Sequence, residues 1–236
     1  MGDKRLVARR RFLQQALSGV ALTSGLLPTL VHALGKVPEL PPGRSIYKLR
    51  GRVRVDHQPA SLDTHIKAGS LIETDADSEV VFVVGKDAHL LRADSRLQLE
   101  GSDLLETGLR LLTGKLLSVF GERKAGQSYQ AQTDVVTIGI RGTAFYLEAE
   151  ASRTYICTCY GKVELSANFD ADSRETIVAH HHDAPRYIAR HAPKGHYITS
   201  APMKGHKDSE LTLIEALVGR KPPFLKSPFY SLDDNY

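Results

Sequence analysis

The sequence predicts a mainly β domain followed by a loop-rich extension that ends in one short helix. Three observations carry this. Short apolar, β-branched runs recur between residues 45 and 165, each closed by Gly, Asp or Ser. The clearest of them alternates through Val136, Ile138 and Ile140. Past residue 166 the character changes: six of the ten histidines lie between His180 and His206, with Pro185, Pro193 and Pro202 scattered among them.

The first 33 residues read as an address rather than as structure. Ala8-Arg9-Arg10-Arg11-Phe12-Leu13-Gln14 precedes an apolar segment rich in small residues, and Val31-His32-Ala33 has the character of a signal-peptidase site. The arrangement resembles the twin-arginine (Tat) motif, with Arg9 and Arg10 in the paired positions and Phe12 and Leu13 in the hydrophobic ones. An ordinary Sec signal and an uncleaved anchor are the competing readings. Gly, Ser and Thr weaken the segment as an anchor, and the Phe-Leu pair is more than Sec requires. The resemblance implies a periplasmic destination, the Tat translocase as a transient partner, and a cargo that folds before it travels.

Setting this segment aside changes the charge argument. The whole chain carries a formal +4, but residues 1–33 hold Lys4, Arg5, Arg9, Arg10 and Arg11 against Asp3, which leaves 26 basic and 26 acidic residues in the remainder. A neutral mature protein argues against a nucleic-acid partner. Beyond residue 35 no apolar run approaches the ~18–20 residues of a spanning helix, so no stable membrane span is expected.

The remaining elements follow in order. Residues 34–44, with Pro38, Pro41 and Pro42, form an extended lead-in. Within 45–165, strands are expected at Arg52–Val55, Glu79–Val84, Ala88–Leu91 and Arg96–Leu99. Leu109, Leu111 and Leu116 through Phe120 fit two short strands joined by a Thr113-Gly114 turn. Val135–Ile140 and Phe145–Leu147 flank Arg141-Gly142-Thr143, Tyr155–Tyr160 returns, and Gly161 breaks the run before Lys162–Leu165. In the extension, 166–236, a helix is expected at about 208–218. Asp208 caps it, Leu211, Ile214, Leu217 and Val218 form its apolar stripe, and Gly219 with Pro222-Pro223 stops it. Phe229, Tyr230 and Tyr236 are expected to pack across the domain.

Val136-Thr137-Ile138-Gly139-Ile140-Arg141-Gly142-Thr143-Ala144-Phe145, then Thr154-Tyr155 and Tyr160-Gly161-Lys162-Val163-Glu164-Leu165, resemble a FecR-type domain. Gly51-Arg52-Val53-Arg54-Val55 and Ile66-Lys67-Ala68-Gly69-Ser70-Leu71-Ile72-Glu73-Thr74 agree with it in order, so the similarity covers about 45–165. The resemblance implies a β-solenoid-like or sandwich-like fold and, in the family's best-known members, periplasmic relay of iron-siderophore receptor occupancy to a sigma factor. Lacking a cytoplasmic anti-sigma region and a spanning helix, this chain is expected instead to bind or scaffold a periplasmic or envelope protein. Arg141, Gly142, Thr143 and Phe145 are the motif residues: Gly142 for backbone freedom or close approach, Thr143 for local hydrogen bonding, and Arg141 as a fork that staples neighbouring carbonyls or a carboxylate.

One constellation outside the motif carries chemistry. Cys157 and Cys159 sit at i and i+2 on a predicted strand, so both thiols share a face with Cα atoms ~6.5 Å apart. That spacing suits a chelated soft metal better than a disulfide. His180, His181 and His182 are the candidate imidazole ligands, with His191, His196, Met203 and His206 further on, and the metals they suit are copper, zinc or iron. The competing reading is two small buried strand cysteines and a polar histidine loop. No Gly-x-Ser-x-Gly elbow, HExxH helix, phosphate loop or paired-carboxylate constellation is present, so no enzyme is expected.

Overall fold

The computed structural model describes residues 40–102, 105–123, 128–192 and 195–227; the export signal and the aromatic tail from Phe229 lie outside the described residues. Fourteen strands are described. They are β1 (Ile46–Arg50), β2 (Val53–Val55), β3 (Gln58–Pro59), β4 (Leu71–Thr74), β5 (Glu79–Val84), β6 (Asp87–Leu91), β7 (Ser95–Ser102), β8 (Leu105–Val119), β9 (Tyr129–Gln132), β10 (Val136–Ala149), β11 (Arg153–Ala167), β12 (Arg174–Ala179), β13 (Arg186–Ala189) and β14 (Ile198–Ser200). Helix α1 (Asp208–Leu217) and a 3₁₀ turn at Pro223–Lys226 close the described chain.

Three long strands organise the rest, because each belongs to two layers. The first half of β8 pairs with β7 and β9, and the half beyond Gly114 pairs with β6 and β10. The first half of β10 pairs with β9, and the half beyond a bulge at Gly142-Thr143 pairs with β8. The first half of β11 pairs with β13, and the half beyond Gly161 pairs with β12. The outcome is a bent, open sheet folded into a sandwich. One layer runs β14-β13-β11-β10-β8-β6-β5-β1, and the other runs β12-β11-β10-β9-β8-β7-β4-β2-β3. The core between them is built from Phe82, Leu91, Leu116, Phe145 and Leu147 on one side and Leu97, Leu109, Ile138, Val163 and Leu165 on the other.

Glycine corners correct two sequence expectations and decide a third. Thr113-Gly114 is not a turn between two strands, and Gly161 does not end one: both glycines have positive φ inside continuous strands that change layer there. A turn-type residue marks a bend as readily as a reversal. Gly142 also has positive φ, at 55°, with open space where a Cβ would stand, so backbone freedom rather than close approach explains it. At Gly161 both reasons apply. Its φ is 90°, and a Cβ would lie 2.5 Å from the Gly142 carbonyl oxygen, so the two corners are nested against each other.

The first layer is buried on both faces along its central strands, which is why these read as continuous apolar runs rather than alternations. Its outer face carries Leu90, Leu117, Val119, Ala144, Tyr146, Tyr155, Cys157 and Cys159, covered by Leu211 and Ile214 of α1 and by Phe224. Each of these covering side chains is worth roughly 1.5–3 kcal/mol of apolar burial. The extension is therefore part of the sandwich. It contributes β12, β13 and β14 where loops are expected from the sequence. The helix spans the expected residues, but Lys207 occupies the cap position, while Asp208 is its first helical residue and directs its carboxylate elsewhere.

Candidate functional site

The alternation of β11 puts Cys157 and Cys159 on the outer face of the first layer, both fully buried. The strand β12 then ends in a tight turn. The Asp183 carboxylate accepts the backbone N–H groups of His180 (3.0 Å) and His181 (2.6 Å), and His182 takes a left-handed φ of 56° while its own N–H donates to Cys159 O at 3.0 Å. This turn sorts the histidine triplet. His180 points out, with its side chain 89% exposed beside Asp183. His181 Nε2 lies 2.9 Å from Asp208 Oδ2. His182 alone turns inward, so its Nδ1 is 3.5 Å from Cys157 Sγ.

The fourth member arrives from the segment before α1. Gly205 packs so closely on the Tyr146 ring that a Cβ would meet Tyr146 Cε1 at 2.5 Å, and the chain can lie flat there. His206 then stacks on Tyr146 with ring centroids 4.8 Å apart. Its Nε2 is 3.2 Å from Cys159 Sγ and 3.1 Å from His182 Nδ1. The ligand atoms of Cys157, Cys159, His182 and His206 all lie within 4.8 Å of one another, and all four residues are buried. Of the five residues expected as ligands, the structure brings three together and sends His180 to solvent and His181 to Asp208. His206 takes the remaining place, while His191 and His196 are exposed.

Outer partners fix the two imidazoles. His182 Nε2 donates to Asp208 Oδ1 at 2.9 Å, and His206 Nδ1 donates to Lys204 O at 3.0 Å. The inner nitrogen of each ring is thereby aimed at the sulfurs. The hydrogen bond from Cys159, and those from His182 and His206, hold the Cys157 thiol below the usual thiol range against burial. Burial and the neighbouring sulfur hold Cys159 well above the usual thiol range. Two sulfurs and two nitrogens, all buried and within 4.8 Å of one another, can hold a soft or borderline metal ion.

The motif residues lie elsewhere and do structural work. Thr143 is fully buried and its hydroxyl donates to Tyr160 O, tying the β10 corner to the β11 corner. Phe145 packs in the core 5.1 Å from Phe120. The Arg141 side chain is 72% exposed and pairs with the Glu164 carboxylate on the adjacent β11 at 3.5 Å, an exposed cross-strand contact, while the buried tie between the corners is made by Thr143. Arg9, Arg10, Phe12 and Leu13 lie outside the described residues.

A second polar cluster sits inside the sandwich and was not singled out from the sequence, where its members are widely separated. Asp87 accepts from Gly121 N at 2.9 Å and from the Arg123 guanidinium, Tyr129 donates to Glu106, and His89 Nδ1 lies 2.8 Å from Ser118 Oγ. His89 Nε2 and Glu106 Oε1 face each other at 3.8 Å. Burial pushes Glu106 up to about 8, with Asp87 adding to it, and pushes His89 down to about 3, with Arg123 adding to that.

Residues 60–164 match the sequence profile of a family described as FecR protein. No curated protein sequence matches the chain. Two crystal structures of a Parabacteroides distasonis protein, described provisionally as an anti-sigma factor, are similar at 12% identity and a TM-score of 0.45, over 56% of this chain and 58% of theirs. The chain thus spans under two thirds of the length of those structures.

Proposed function

We propose that the match over 60–164 marks a FecR-type module that is exported to the periplasm, binds a protein partner of the cell envelope in a regulatory role, and performs no catalysis. That match is the observation on which the reading rests. It spans the three bent strands, and so takes in the centre of both layers. Among the described residues no helix is long and apolar enough to cross a membrane. Export by the Tat route is supported by the Arg9-Arg10-Arg11-Phe12-Leu13 spacing. The double variant Arg9→Lys, Arg10→Lys should stay in the cytoplasm while Sec substrates are exported normally. Undiminished periplasmic yield of the wild type in cells lacking the Tat translocase would overturn the route.

A second reading is carried by the two imidazole nitrogens that face each other beside two thiols: the cluster binds copper, zinc or iron. Natively exported protein should contain about one equivalent of metal, and the Cys157→Ser, Cys159→Ser variant essentially none. Equal metal in both would remove this reading and leave the first intact.

A further inference from the structure

Resting on the metal reading, we propose that the occupant is a divalent zinc-class ion and that it acts as a clasp, fastening residues 201–226 to the outer face of the first layer.

The spacing of the cluster suits this ion. A tetrahedral zinc with Zn–S of ~2.3 Å and Zn–N of ~2.0–2.1 Å has S–N edges of about 3.5 Å and an N–N edge of about 3.3 Å. The protein supplies S–N separations of 3.5 and 3.2 Å and an N–N separation of 3.1 Å. His182 Nε2 and His206 Nδ1 are each held by an outer partner, which leaves the two inner nitrogens 3.1 Å apart beside the sulfurs, where both can ligate one cation. Charge points the same way. Two thiolates neutralise a divalent ion, whereas monovalent copper would leave a buried excess negative charge.

The origin of the ligands makes the ion a clasp. Cys157 and Cys159 come from β11, His182 from the turn after β12, and His206 from the chain that leads into α1. Asp208, which holds His182 Nε2, is the first residue of α1, so the coordination sphere reaches into the helix itself. The ion is not the only fastening: Leu211, Ile214 and Phe224 are buried against the layer, and the Tyr160 hydroxyl donates to Glu215. Arg92 Nη2 donates to Gly205 O at 3.0 Å and to Glu210 at 2.9 Å, and Lys204 pairs with Glu148. An ion that binds only when all three pieces are in place stabilises the docked segment by mass action.

The experiment compares native, chelator-treated and zinc-restored protein by elemental analysis and by amide hydrogen exchange, with cobalt(II) as a spectroscopic substitute. About one zinc per chain is expected, and cobalt should give the intense visible bands of a tetrahedral site with thiolate-to-metal charge transfer. Removing the ion should speed exchange across 203–217 by about tenfold or more, leave β4, β7 and β8 protected, and be reversed by zinc. His206→Ala should reproduce the loosening, and His180→Ala should change nothing. Copper in place of zinc, or weak octahedral cobalt bands, would overturn the assignment of the ion. Stoichiometric zinc with unchanged exchange across 203–217 would overturn the clasp while leaving metal binding standing. Absence of any metal would instead overturn the reading on which both depend.

Discussion

Replacing Gly161 by alanine should destabilise the protein by roughly 2–5 kcal/mol, well beyond the effect of the same change at Gly142. An L-residue in the left-handed region costs about 1–2 kcal/mol. At Gly142 that is the whole cost, because nothing lies within 4 Å of the added carbon. At Gly161 the new carbon would also stand 2.5 Å from the Gly142 carbonyl oxygen and 2.9 Å from Thr143 Cα, and backbone cannot rotate away as a side chain can. Overpacking of this kind adds about 1–3 kcal/mol. The shift would also disturb the hydrogen bond from the Thr143 hydroxyl to Tyr160 O. Denaturant midpoints of Gly142→Ala and Gly161→Ala measure the difference. Equal losses would show that the two corners are not nested as described.

The second large effect is a dependence on pH that the buried Glu106 imposes. Its folded value of about 8 lies above its unfolded value near 4.5, so the folded protein holds this proton more tightly than the unfolded chain. The stability it contributes is complete below about 4.5 and is lost progressively as pH rises through 8. His89 acts in the opposite direction. The unfolded chain takes up its proton near 6.5 while the folded protein resists until about 3, so stability falls as pH drops below 6.5. At one pH unit to about 1.4 kcal/mol, the Glu106 contribution amounts to roughly 2–3 kcal/mol between pH 6 and 9. Glu106→Gln keeps an acceptor for the Tyr129 hydroxyl and cannot ionise, so the variant should lose less stability than the wild type over that range by this amount. Parallel profiles for the two proteins would refute the assignment to Glu106.

Both predictions concern features that the sequence only partly reveals. The strand runs at Glu79–Val84 and Val136–Ile140 and the helix near 208–218 are legible because side-chain period and stop signals are local properties. The corners are not. Gly114, Gly142 and Gly161 look the same in sequence whether a strand reverses or bends into another layer, and the choice is made by which strands lie beside it. The metal-ligating set divides along the same line. Cys157 and Cys159 share a face because of strand geometry alone. Choosing His182 over His180 and His181 depends on the Asp183 turn, and choosing His206 over His191 and His196 depends on the packing of Gly205 against Tyr146. The one available local clue was Asp183 itself, three residues after His180 and placed to accept backbone hydrogen bonds.

The outer face of the first layer is completed by the last residues described, made after every strand that forms it. Cys159 and Tyr146 are synthesised early, but α1 begins 48 residues after Tyr160 and Phe224 follows it by 64, or several seconds at about 5–20 residues per second. Until they are made, Leu90, Leu117, Tyr146 and both thiols lack their cover, and Ile177 and Ile188 of the sandwich core are themselves added within that interval. Translation speed across residues 160–226 thus sets how long this protein must be shielded from aggregation and from premature thiol oxidation.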